Sequence, residues 1–312
     1  MPPPARYAAS MDVRDRVVGS ILGLALGDAL GAPFESRRAR DVPSPLPALT
    51  QPWKGLAPGS WTDDTAMARN LWTSLIATRG ILDPADVLRR HLAWFRSSPP
   101  HVDTQVAFAL REHERGTSEP ARAVFERRGP EVSAGNGSVA YCAPLGVAYA
   151  THATDLRDAA PALSELTHWD GRCRTACLTV TLVAAALVRG DDPEVSVIAA
   201  LEAVSELEGG EELEHLVGIA GLGRPIDGPD LGFTLFTAGV ALRSAGEARG
   251  FQDGLLEVVA LGGDTDTNAA VTGALLGALH GRSGLPAPWL GRLVDADAIE
   301  REAVELVDAV MR

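Results

Sequence analysis

Two short acidic clusters stand about two hundred residues apart: Trp61-Thr62-Asp63-Asp64-Thr65 and Gly262-Gly263-Asp264-Thr265-Asp266-Thr267-Asn268. Each runs into an apolar, Ala-rich stretch with helical spacing, so each places carboxylates and threonine hydroxyls at a helix start. Four Asp brought together repel one another, and a fold that assembled them needs cations to hold them. Neither cluster contains His or Cys, so the ligands are all oxygen. That set suits Mg²⁺, Mn²⁺ or Ca²⁺ and not zinc. The helix dipole alone would favour Asp63 and Asp64 by about 0.3–1 kcal/mol, without any metal. That explanation fits the second cluster less well, because Asp264, Asp266 and Asn268 alternate there behind a glycine pair. An EF-hand is excluded: Ala269 replaces its glycine, and Leu275 stands where its bidentate Glu belongs.

Smaller signals lie between the clusters. Gly135-Asn136-Gly137-Ser138 precedes an apolar stretch. Glycines let backbone N–H groups approach a ligand, and a helix N-terminus suits phosphate, although a turn with an N-cap reads the same way. No Lys-Ser/Thr follows, so this is not a Walker loop. Asp28 is unusual at the end of an apolar helix and fits either a cap for a neighbouring loop or a group that orients a ligand. Glu35 after that helix and His168 beside Trp169 read equally as structural residues or as contacts to a substrate.

The elements that must position these residues are helical. Val13, Val17, Val18, Ile21, Leu22 and Leu24 mark a first helix, which Gly31, Ala32 and Pro33 end. A proline-dense loop follows over 41–58. Thr62 is an N-cap for a second helix that runs to about Gly80. Asp83-Pro84, Asp155 and Asp192-Pro193 start others. Gly116, Gly190, Gly221, Gly246 and Gly281 read as stops, and a last helix spans about 297–310. No alternating strand and no internal repeat is evident. The expectation is one all-α domain over residues 11–312, compact and helical, behind a Pro-rich tail at 1–10. Glycine recurs at four-residue spacing in Gly19, Gly23, Gly27 and Gly31, and again in Gly273, Gly277 and Gly281. Each glycine costs roughly 1 kcal/mol against alanine in a helix, so a repeated ridge points to two backbones in close approach. The two helices then form the buried centre and bring the acidic loops together.

Bulk properties narrow the function. The chain has 312 residues and a net charge of −13, which argues against nucleic acid as a main partner. Cys142, Cys173 and Cys177 make an odd count that fits a reducing compartment, with Cys173 and Cys177 read as small buried side chains. The start lacks a signal-peptide pattern, and the apolar run Val17–Gly27 falls short of the roughly 18 residues that span a bilayer. A soluble, cytoplasmic protein with no membrane contact is expected.

Together the motifs resemble the ADP-ribosylglycohydrolase family. The resemblance runs from about Val13 to His280. It rests on residues 23–31 with Glu35, on Trp61–Thr65, on Gly135–Ser138 with Ala143-Pro144-Leu145-Gly146, on Leu166-Thr167-His168, and on residues 261–270. It implies an orthogonal all-α fold around a central two-metal site holding two Mg²⁺ or Mn²⁺. Thr62, Asp63, Asp64, Asp264, Asp266 and Thr267 would be the metal residues. It implies cleavage of the bond between ADP-ribose and a modified side chain, with arginine favoured over serine. Glu35 would be the acid/base or metal-shell residue, with Asp63, Asp64 and Asp264 also catalytic. Gly135, Asn136, Gly137, Ser138, Tyr141, His168, Asp103 and Gly263 would touch the substrate. That substrate would be an ADP-ribosylated protein or an ADP-ribose-containing small molecule, and nucleic acid only as a modified end. Two departures stand out. Ala140-Tyr141 occupy the place of the family's Met-Arg, and His101-Val102-Asp103 that of an Asp-Ile-Gly motif whose Asp helps hold substrate. Both fall on the substrate side, which leaves the linkage open. A non-catalytic ADP-ribose or nucleotide binder, and a contact antagonist of an ADP-ribosyltransferase, are the alternatives.

Overall fold

Side-chain caps set six of the helix starts among the described residues. The computed structural model describes residues 11–152, 155–219 and 231–311. The expected tail at 1–10 and the expected stop at Gly221 lie outside these. Helix α1 (Val13–Gly31) begins behind Asp12, whose carboxylate accepts the Arg14 N–H. Helix α2 (Asp63–Ala77) begins behind Thr62, and α3 (Pro84–Arg96) behind Asp83 with Pro84 in its first turn. Helices α4 (Thr104–Glu114), α5 (Pro120–Arg128), α6 (Gly137–Ala140), α7 (Ala143–Ala148) and α8 (Leu156–Ser164) follow. Then come α9 (Gly171–Arg189), which Gly190 ends in the left-handed conformation, and α10 (Pro193–Val204), which Asp192 caps. Helices α11 (Gly210–Ile219), α12 (Thr234–Gly246), α13 (Phe251–Ala260), α14 (Thr265–His280), α15 (Ala287–Leu290) and α16 (Ala296–Val310) complete the chain.

The two glycine ridges face each other. A Cβ added to Gly19 would fall on the Gly277 carbonyl oxygen, one on Gly23 on that of Gly273, and one on Gly31 on that of Thr265. All would lie under 3.0 Å, a separation real Cβ atoms essentially never show. The pairing is antiparallel, so the C-terminal end of α1 lies beside the first turn of α14, where the Thr265 hydroxyl donates to the Gly31 carbonyl at 2.8 Å. Helix α1 is buried on every side from Arg16 onward, which explains its apolar residues at all helical phases. Arg16 itself donates to the Leu187, Ala278 and Leu279 carbonyls at 2.9–3.2 Å. Those carbonyls end α9 and α14, where the helix dipoles favour a cation.

Segment 13–34 and helix α9 are long and apolar enough to cross a bilayer, longer than the Val17–Gly27 run suggests. In this fold they are core elements, 94 % and 83 % buried. One strand pair goes beyond the all-helical expectation. β1 (Arg37–Arg38) pairs antiparallel with β2 (Gly262–Gly263). Two residues are too short to show alternation, so no periodicity signals them. All three cysteines are free and buried.

Candidate metal centre and substrate cleft

Three helix ends meet where the glycine ridges stop. Asp28, near the end of α1, accepts the Thr62 N–H at 2.9–3.0 Å, the Thr65 N–H at 3.0 Å and the Thr65 hydroxyl at 2.6 Å. It therefore caps the α2 N-terminus from another helix. Burial pushes its pKa up to about 6, against the pull of those hydrogen bonds. Asp64, in the first turn of α2, and Asp266, in the first turn of α14, complete a triad. One carboxylate oxygen of each lies within 4.8 Å of the others. Burial holds Asp64 well above the usual carboxylate range, and Asp28, Asp63 and Asp264 add repulsion. Asp266 is held up in the same way, by burial and then by Asp264 and Asp64. Asp64 Oδ2 is buried and has no hydrogen-bond partner. A buried, unpaired carboxylate among like charges is strongly unfavourable. An all-oxygen triad with an orphaned oxygen fits a hard divalent cation.

The other predicted metal residues are partly engaged by protein groups. Asp63 Oδ1 lies 2.6 Å from His101 Nδ1, and Asp63 Oδ2 accepts the Asp103 N–H at 2.8 Å. Asp264 Oδ2 accepts from the Asn136 amide at 2.9 Å. Thr62 is the α2 N-cap, and its hydroxyl accepts the Asp64 N–H. The Thr267 N–H donates to Asp266 Oδ1 at 3.1 Å. Glu35 stands at the rim in a 2.9 Å ion pair with Lys54, and its Oε1 lies 3.7 Å from His101 Nε2. His101 thus bridges two carboxylates. The Asp63 hydrogen bond above all raises its pKa.

A cleft of about 320 Å³ opens over the triad. Glu35, Asp63, Asp64, Asp103, Asp264, Asp266 and Thr267 line it, as do Gly135, Asn136 and Gly137 of the glycine turn. Asp103 caps α4 through the Val106 N–H at 2.8 Å, and burial pushes its pKa up to about 6. Four expected substrate contacts stand outside the cleft wall. Tyr141 is fully buried, with its hydroxyl near the Leu163 carbonyl and the Thr167 hydroxyl. It is a core residue, because the turn between α6 and α7 directs it inward. Ser138 points inward as well, to Ser164 and Cys177. Gly263 is used by the strand pair, where its carbonyl accepts the Ser36 N–H at 2.8 Å and so ties the Glu35 loop to the second acidic loop. His168 is buried directly behind the glycine turn. A Cβ on Gly137 would meet its ring at 3.0 Å, and its Nε2 has no partner.

Gln105 and Arg128, which line the cleft, carry no sequence signal. Both side-chain polar atoms of Gln105, and Nε of Arg128, are buried without partners. Buried polar groups are normally paired, so these atoms are free to meet a ligand in the cleft. Apart from His101, Arg128 is the one basic residue among the described residues that line the cleft.

A model of the ADP-ribosylglycohydrolase family matches residues 9–312. The chain belongs to the ADP-ribosylglycohydrolase family. It is 31 % identical over 305 residues to the ADP-ribosyl-[dinitrogen reductase] glycohydrolase of Rhodospirillum rubrum, covering 96 % of each chain. It is 27 % identical to ADP-ribosylarginine hydrolase Tri1 of Serratia proteamaculans, over 94 % of this chain and 79 % of that one. To ADP-ribosylhydrolase ARH3 of Gallus gallus it is 26 % identical, over 92 % and 89 %. A solved ADP-ribosylglycohydrolase-related protein complex superposes with a TM-score of 0.81 at 32 % identity, over 96 % of this chain and 99 % of that one. This ADP-ribosylglycohydrolase is accordingly a single helical domain and a hydrolase of glycosidic ADP-ribose linkages.

Proposed function

We propose that the enzyme removes ADP-ribose from arginine side chains of modified proteins in a reaction that depends on two divalent cations, Mg²⁺ or Mn²⁺. The observation that carries the metal dependence is the Asp28–Asp64–Asp266 triad with its orphaned Asp64 oxygen. Asp64, Asp266, Thr62 and Thr267 would hold the ions, with Asp63, Asp264 and Asp28 completing the set. Bound cations would neutralise the carboxylate cluster, orient the ribose hydroxyls and make the attacking water more acidic. The chain's own groups do the rest. Glu35, steadied by Lys54, receives or returns the proton at the cleft rim. The turn at Gly135–Gly137 brings backbone close to the diphosphate. Arg128 offsets the diphosphate charge, and Gln105 offers unmatched polar atoms, while His168 backs the glycine turn from behind. The arginine linkage is supported by the names of the R. rubrum and Serratia relatives, and the cytoplasmic location by the three free, buried thiols. The test is ADP-ribose release from arginine-linked and serine-linked peptides, with Mg²⁺ and with chelator. Release from the arginine linkage alone, abolished by chelator, is expected. Equal release with chelator would remove the metal from the account.

A further inference from the structure

A second cavity of about 230 Å³ adjoins the metal cleft and is of a different character. Its walls are the indoles of Trp53, Trp61 and Trp94 together with Pro100. Among the described residues, only Asp63 and His101 line both cavities. ADP-ribose and the side chain that carries it are joined at one carbon, so their two sites must meet at the scissile bond. The one pair the two cavities share, Asp63–His101, offers such a junction.

We infer that the tryptophan-walled cavity is the acceptor subsite, and that it takes the guanidinium and aliphatic stem of the modified arginine. This rests on the proposed function above. The cavity is smaller than the roughly 300 Å³ at which small-molecule sites begin, so it suits one long side chain. Its chemistry selects which one. A planar cation with an apolar stem stacks on indole faces while its charge meets a carboxylate. Here the carboxylate is Asp63. One of these rings already attracts a cation from outside the cavity: the Lys54 ammonium lies 4.2 Å from the Trp53 ring centroid. The walls are also held in place. Trp61 Nε1 donates to the Val294 carbonyl at 3.2 Å, and Trp53 meets the His101 ring edge-on at 5.2 Å. A serine acceptor would leave the indole faces unused.

Two measurements test this. In the first, steady-state kinetics on an arginine-linked peptide and ADP-ribose binding are compared for Trp94→Ala, Trp94→Phe and the parent enzyme. Trp94→Ala should raise KM roughly tenfold and Trp94→Phe should recover most of it. ADP-ribose affinity should stay within about twofold in both, which also shows that the variants fold. An unchanged KM, or a parallel loss of ADP-ribose binding, overturns the assignment. In the second, methylguanidine is titrated into the intact enzyme while the indole N–H resonances are followed. Shifts at Trp61 and Trp94, with the Trp61 shift lost in Trp94→Ala, support the subsite. No shift, in an enzyme that still cleaves the arginine linkage, overturns the subsite and leaves the function standing. Shifts in an enzyme that cleaves only serine linkages overturn the arginine reading and leave guanidinium binding standing.

Discussion

Asp64 concentrates the electrostatic cost of the site. Buried beside Asp28, Asp63 and Asp264 with one oxygen unpartnered, it is unfavourable without a cation and suited to one. Asp64→Asn should therefore lower hydrolysis at least about 100-fold. It should also raise the melting temperature in chelator, at about 2–4 °C per kcal/mol of relieved repulsion. Calorimetry in EDTA checks this, and a lower melting temperature would contradict it. Arg128 acts on the opposite sign of charge. Arg128→Gln should weaken ADP-ribose binding roughly tenfold and leave adenosine binding unchanged, as titration calorimetry would show. The acidic residues were legible in the sequence because carboxylates at helix starts are conspicuous there. Asp28 was legible as a cap or an orienting group, and it is a cap that also reaches the triad. Arg128 and Gln105 were not legible, since an unpaired atom exists only once the chain has folded. Tyr141 was misplaced because a motif gives position along the chain and not side-chain direction.

At the scale of elements, the glycine ridges decide where the acidic loops meet. Their four-residue spacing predicted close backbone approach, and α1 against α14 realises it. Gly23→Ala or Gly27→Ala would drive a methyl group into a backbone carbonyl of the facing helix. Either should cost more than about 3 kcal/mol or prevent folding. Gly291→Ala is the control: its φ is −68° and its nearest neighbour would lie at 3.6 Å. It should change stability by no more than about 1 kcal/mol in urea denaturation. Equal losses at the two kinds of site would refute the role of the ridge. Helix starts with Asp or Thr caps were readable for the same reason that they form, since a side-chain oxygen meets the first free N–H groups. The β1–β2 pair was not readable, although it ties the Glu35 loop to Gly263.

For the whole molecule, pH separates two sets of buried groups. His91 and His168 are held neutral by burial, with pKa values pushed down to about 3. The unfolded chain protonates its histidines near 6.5, so the stability they contribute is present above that pH and is lost as pH falls toward 3. Asp28 has the reverse sign. Its folded pKa of about 6 exceeds the unfolded value, so in chelator it stabilises at low pH and that stability is lost as pH rises through 6. Protons also compete with a cation for the triad. The rise in melting temperature on adding Mg²⁺ should be greatest above pH 6 and shrink below it. An increment independent of pH would place the ion elsewhere. The single helical domain was legible from composition and periodicity, whereas the linkage was not, because the cavities beside the triad are lined from separate helices and loops. The most direct measurement is ADP-ribose release from an arginine-linked peptide by the intact enzyme, with Mg²⁺ and again after chelation. The account predicts release that chelator abolishes and Mg²⁺ restores; undiminished release in chelator would contradict it.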